Sequence, residues 1–239
     1  MTASIPQPET VPYAALRDAK TEVLCGLIRP VLDRPAARLL VVGCGDGREA
    51  AVIGAHFGAE AIGIDLEPWP DPDPRVTILK MNAERLDFPD ANFDLVYSFH
   101  ALEHMDDPNR ALAEMARVCR PGGGFCVGTP NRSRLVSYLG SPTDAWTKLR
   151  WNLIDWRARL AGRFRNEFGA HAGFTNEELA TMARRAFGDG RDVSRDYYRA
   201  LYSGRQGVLD GLERAGLIRY LHASVYIVGR NRSIAAPAA

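Results

Sequence analysis

Apolar and polar positions along this chain alternate between a helical and an extended period. From about Ala14 to Leu32, Leu16, Leu24, Leu27 and Ile28 recur at helical spacing and predict a helix that packs on a sheet. Pro35 separates it from Arg38-Leu-Leu-Val-Val-Gly43, a nearly continuous apolar run suited to a central parallel strand covered on both faces. Strand and helix candidates then alternate: Glu49 to Phe57, Ala61 to Ile64, Val76 to Leu79, Phe93 to Ser98, Pro108 to Cys119 and Phe125 to Thr129. That order reads as repeated βα units and predicts an α/β fold with a mostly parallel sheet.

The remaining chain divides less sharply. Residues 1–13, with prolines at 6, 8 and 12, read as an arm, residues 14–232 as a single domain, and 233–239 as a tail. Within the domain, 133–173 differs in composition and reads as a helical insertion or lid. A helix over Asn176 to Ala186 follows, then a polar stretch, a helix near Gln206 to Ala215, and the apolar segment Ala223 to Val228. In the insertion, Trp146, Leu149, Leu153, Trp156, Leu160 and Phe164 form an apolar stripe beside Lys148, Arg150, Arg157, Arg159, Arg163 and Arg165. Three readings stand: a helix buried against its own sheet or a second subunit, a lid over a hydrophobic acceptor, or peripheral contact with an anionic membrane.

Composition narrows the classes. An apolar fraction of 46% and a charged fraction of 25% are those of an ordinary soluble protein. The net charge of +1 makes no global case for nucleic acid or membrane. The four cysteines lack paired spacing; Cys44, Cys119 and Cys126 sit in or beside apolar segments and read as small buried hydrophobes of a reducing compartment. With no secretory leader and no apolar run of roughly 18 to 20 residues, the expected location is cytoplasmic.

Candidate chemistry begins at Leu39-Leu-Val-Val-Gly-Cys-Gly-Asp-Gly-Arg48. A strand entering a loop with glycines at 43, 45 and 47 lets backbone N–H groups approach a polar ligand where Cβ atoms would obstruct it. The third glycine follows the second by two residues, unlike the nicotinamide fingerprint. Asp65 ends the next predicted strand, where a parallel neighbour would set its carboxylate beside the glycine loop and ready to accept both hydroxyls of a ribose.

With these features the chain resembles the class I S-adenosylmethionine-dependent methyltransferases, specifically their type 11 group. The matching blocks are VVGCGDG (41–47), GIDLEP (63–68), NAERLDFP (82–89), FDLVYSFHALEH (93–104), RVCRPGG (117–123) and CVGTPN (126–131), with a further likeness at HAGFTNEEL (171–179). The resemblance implies a Rossmann-like sheet whose last strand is antiparallel, and S-adenosylmethionine as cofactor. It implies that Val42, Gly43, Cys44, Gly45 and Gly47 line the methionine and ribose end, that Asp65 holds the ribose hydroxyls, and that Leu66 flanks the adenine. Asn82, Ala83 and Glu84 would meet the adenine edge, and Ser98 and Phe99 complete the set. Two positions depart from the pattern. Val41 stands where many relatives carry an acid, and Asn82 where they commonly carry aspartate.

Methyl transfer from a sulfonium is an in-line displacement that needs alignment, exclusion of water and sometimes a proton acceptor. His100, His104 and His171 are the candidate bases, weighed against pocket shaping. His100, Glu103 and His104 also make a candidate metal set, although quinone-related relatives carry glutamate at the place of His100; no metal is expected. Thr175 with Glu178 fits a capping box, and Tyr13 is a candidate to approach the cofactor from the arm. The expected reaction is methylation of an oxygen or nitrogen on a small molecule, with aromatic, quinone-like and glycosylated acceptors as candidates. Modification of RNA or protein, or a non-catalytic assembly role, is the alternative, and a homodimer is one partner reading. Nucleic acid is disfavoured because such an enzyme would show an extended basic face or an added recognition domain, whereas the arginine cluster of 148–165 is local.

Overall fold

A computed structural model describes residues 19–67, 71–137, 144–168 and 171–233. Tyr13, the rest of the predicted arm and nearly all of the tail lie outside them. The elements in chain order are α1 (Ala19–Ile28), β1 (Arg38–Val42), α2 (Arg48–Phe57), β2 (Glu60–Asp65), β3 (Thr77–Lys80), β4 (Phe93–Phe99) and α3 (Pro108–Val118). They continue with β5 (Cys119–Pro130), α4 (Ala145–Leu160), α5 (Asn176–Phe187), β6 (Arg191–Asp192), α6 (Ser194–Leu201), α7 (Gln206–Arg214) and β7 (Ser224–Arg230). The seven strands are ordered β3-β2-β1-β4-β5-β7-β6. The first five run parallel, while β7 is antiparallel to both β5 and β6.

The twofold period of each strand explains the continuous apolar runs. Leu40, Val42, Ile62, Ile64, Val96, Phe125, Val127 and Ile227 pack on one face beneath α3 and α5, with Leu112, Met115, Leu179 and Phe187. Their neighbours Leu39, Val41, Ala61, Leu95, Tyr97, Cys126 and Val228 pack on the other, against Leu24, Ile28, Ile53, Tyr197 and Tyr198. Both faces are covered, so both registers must be apolar.

The sheet and most helices fall where the sequence pattern puts them. The differences lie late in the chain. The polar stretch after α5 holds β6, whose two residues pair with Ile227 and Val228, and α6, which buries Tyr197 and Tyr198. The insertion contains one long helix, α4, but only its Asn152 is buried, so burial of this helix against its own sheet is corrected. Its expected stripe is largely solvent-facing, and of that stripe Phe164, beyond the helix, is buried. All four cysteines are free and buried, and burial pushes the Cys25, Cys44 and Cys119 thiols up to about 12.

Candidate active site

The glycine loop leaves the carboxyl end of β1 and leads into α2 beside the carboxyl end of β2. Gly43, Gly45 and Gly47 have φ of +71°, +55° and +82°, the left-handed region that favours glycine. A Cβ on Gly43 would lie 2.3 Å from that of Ala101, and one on Gly47 would lie 2.8 Å from Ile78 Cδ1. The loop is tied to β2 by Gly43 N and Cys44 N, which donate to Ile64 O at 2.9 and 3.0 Å. Gly45 N donates to Asp65 Oδ2 at 2.9 Å, so the predicted proximity of that carboxylate to the loop is realised. Beyond it Leu66 is exposed. The Cys44 thiol fits against Gly63, where a Cβ would come within 2.5 Å of the sulfur.

The block after β3 is partly committed to its own turn. Asn82 Oδ1 accepts from Glu84 N at 2.8 Å, and Glu84 Oε1 accepts from Asp107 N at 3.0 Å. Ala83 is buried. Ser98 pairs with Val42 in the sheet, and its Oγ is buried without a hydrogen-bond partner. On the opposite face, Val41 pairs with Tyr97, whose hydroxyl donates to Glu49 Oε1 at 2.7 Å. Glu49, in the first turn of α2, thus supplies a carboxylate on the same face as Val41.

A cavity of about 970 Å³ opens beyond the ends of β4, β5 and β7. His100 follows β4 with φ of +53°, and its Nε2 lies 3.0 Å from Ser224 Oγ on β7. Burial, with the nearby positive Arg134, pushes its imidazole down to about 4, leaving it neutral at pH 7. The following turn brings Glu103 and His104 to the same wall. Burial raises the Glu103 carboxyl to about 7, and its Oε2 has no hydrogen-bond partner. The His104 ring meets His171 edge-on at 4.7 Å, and burial and then His171 lower its pKa. His171 itself has φ of +43°, and Arg134 donates to its carbonyl at 3.2 Å. The structure therefore gathers all three predicted histidines at one cavity. Among the described residues, no group of three or more His, Cys, Asp or Glu side chains is arranged to hold a metal ion.

The opposite wall escaped the sequence reading. Tyr198 and Leu201 from α6, Tyr202 just after it, Leu209 and Leu212 from α7, and Leu221 give the cavity its apolar and aromatic character, with Arg205 and Lys20 as cations. Its signals are the predicted helix near Gln206 to Ala215, which carries Leu209 and Leu212, and the helical spacing of Tyr198, Leu201 and Tyr202 within an otherwise polar stretch. From the insertion, Arg134, Val136, Ser137 and His171 line the cavity, but no residue of α4 does.

The glycine backbone, the Asp65 carboxylate and the exposed apolar Leu66 together suit an adenosyl group bearing a short charged tail. A family model for a methyltransferase domain matches residues 40–127. The chain is 36% identical over 156 residues to a phosphatidylethanolamine N-methyltransferase of Cereibacter sphaeroides, covering 62% of this chain and 69% of that protein. It is 32% identical over 126 residues to the 27-O-demethylrifamycin SV methyltransferase of Amycolatopsis mediterranei, covering 48% and 46%. A solved S-adenosylmethionine-dependent methyltransferase of Mesorhizobium loti shares the fold, with a TM-score of 0.54 at 20% identity over 86% of this chain and 96% of that one. The chain belongs to the class I S-adenosylmethionine-dependent methyltransferases. It spans less than half the length of several curated relatives that it matches, 38% and 46% in two of them.

Proposed function

We propose that this protein transfers the methyl group of S-adenosylmethionine to an oxygen or nitrogen of a small molecule with an apolar or aromatic body. The observation that carries the reading is the cavity itself. It begins at Phe99 and His100, where β4 leaves the glycine-loop edge of the sheet, and extends between aromatic and aliphatic side chains large enough to hold a multi-ring acceptor. The two named relatives act, by their names, on a rifamycin oxygen and a phospholipid nitrogen, which supports a small-molecule acceptor without selecting the atom.

In this reading Gly43, Gly45 and Gly47, with Val42 and Cys44, receive the methionine and ribose end. Asp65 accepts the ribose hydroxyls, and Leu66, Asn82, Ala83 and Glu84 border the adenine. Ser98 and Phe99 separate donor from acceptor. When bound, the sulfonium supplies an activated methyl group. The protein's part is to align the nucleophile, exclude water and receive a proton. His100, neutral and tethered to Ser224, can accept a hydrogen bond from an acceptor hydroxyl or amine; His104 and His171 shape the same wall.

Calorimetric titration with S-adenosylmethionine and S-adenosylhomocysteine tests the donor site, followed by a labelled-methyl assay over phenolic, hydroquinone, glycoside and amine acceptors. Saturable binding is expected. Asp65→Ala should weaken it by roughly 10- to 100-fold, the equivalent of one or two charge-assisted hydrogen bonds, with an unchanged circular dichroism spectrum. Equal donor affinity in the folded variant would remove the ribose assignment, and no binding by wild type would overturn the proposal.

A further inference from the structure

Helix α4 is attached to the protein by polar contacts and turns its apolar side outward. Its inward residues are Asn152, Asp155 and Arg159, spaced three and four apart. Asn152 Oδ1 accepts from Ser137 N at 2.7 Å, and its Nδ2 donates to Ser137 O at 3.1 Å. Asp155 lies 3.7 Å from Arg134 Nη2, and Arg159 donates to Arg134 O at 2.5 Å. A separate stripe, Trp146, Leu149, Leu153 and Leu160, follows helical spacing and is exposed, with Trp146 73% and Leu160 90% exposed, while Trp156 beside it is 39% exposed and its Nε1 donates to Leu135 O at 2.7 Å. Ile154 beside the stripe is also exposed. Leaving Trp146 and several leucines in water is costly, so the stripe calls for a covering surface.

Charge indicates which surface. Residues 145–165 carry Lys148, Arg150, Arg157, Arg159, Arg163 and Arg165 against the single Asp155, in a chain whose net charge is +1. Arg150 and Arg157 lie three or four residues from members of the apolar stripe, so any partner that covers the leucines also meets these guanidinium groups. A second copy docking symmetrically would set this basic patch against itself. A lipid surface accommodates both features: tryptophan and leucine enter the boundary between headgroups and acyl chains while long basic side chains reach back to phosphates.

We propose that α4 and the residues up to Arg165 dock the protein on an anionic lipid surface. The same contacts give docking a bearing on the cavity, because Arg134 and Ser137, which hold α4, also line it. Lipid docking stands independently of whether methyl transfer is the activity.

The test is co-sedimentation of the full chain with vesicles of phosphatidylcholine alone or mixed with phosphatidylglycerol, with tryptophan emission followed in parallel. Binding to the anionic vesicles with a blue shift is expected, weakened at least tenfold by high salt. Trp146→Ser with Leu153→Ser and Leu160→Ser should reduce affinity at least tenfold without lowering thermal stability, since all three side chains are exposed. Arg150→Glu with Arg157→Glu should abolish the preference for anionic vesicles. The proposal is overturned by absence of binding, by equal binding to both vesicle types, or by unchanged binding of the triple variant. It is also overturned if light scattering shows a dimer that the triple variant dissolves, which would assign the face to a second copy. Shielding of Trp146 from a soluble quencher in the vesicle-free monomer would assign it to the chain's own residues.

Discussion

Gly43 sits where a hydrogen is the only side chain that fits, since its φ is +71° and the Ala101 methyl occupies the space a Cβ would need. Gly43→Ala should cost about 2–4 kcal/mol, combining left-handed backbone strain with overpacking. A lowered urea midpoint and loss of donor binding would check this. A fall in binding with no change of midpoint would mean that the loop relaxes around the methyl. The spacing of this glycine, and its pairing with Asp65, was legible because both lie at the ends of consecutive parallel strands. The setting of His100 was not, since its partner Ser224 is 124 residues away in sequence and its left-handed backbone has no marker in residue type. Its role as a candidate base could be suggested from the sequence, but its neutral state comes from burial and from Arg134.

Elements were readable where their own residues suffice to define them. α5 begins with the capping box anticipated from Thr175 and Glu178: Glu178 N donates to Thr175 Oγ1 at 3.2 Å, and Thr175 N donates to Glu178 Oε2 at 2.8 Å. Thr175→Ala should lower stability by about 1 kcal/mol, measured by urea unfolding, with Thr175→Ser close to wild type. β6 could not be found this way. Arg191-Asp192 has no strand pattern, and it is extended because the outer edge of β7 offers it hydrogen bonds. For α4, the 3- and 4-residue spacing revealed a helix with an apolar stripe, but periodicity does not say which stripe faces the protein. Asn152 and the residues around Arg134 decide that.

Across the whole molecule, stability should depend on pH through groups buried around the cavity. His222, stacked on Tyr198 at 4.2 Å between ring centres, is lowered by burial from its ordinary 6.5 to about 4. Between those values the unfolded chain binds the extra proton, so this group's contribution to stability falls as pH drops from 6.5 toward 4. His100 acts in the same sense, whereas Glu103, raised to about 7, favours the fold on the acid side of that value. His222→Phe keeps the stacking and removes the titration. Its loss of stability from pH 7 to pH 5 should be smaller than that of wild type by about 2 kcal/mol, read from urea unfolding at both values. Equal losses would show that His222 does not carry the acid sensitivity.

By itself the sequence determined the alternation of strand and helix, the parallel core, the glycine loop and the acid beside it. Each is written in residues close together along the chain, or at the ends of neighbouring strands whose order follows from βα connections. Only the tertiary structure decided the cavity and the outward face of α4. The cavity takes its walls from β4, α6, α7, β7 and the segment before α4, which are far apart in sequence and meet because β7 inserts between β5 and β6. The direction of α4 depends on which of its faces finds partners, and the polar face found them in Arg134 and Ser137. Local pattern can propose both faces of such a helix, but the choice between them is made by the surface it lands on.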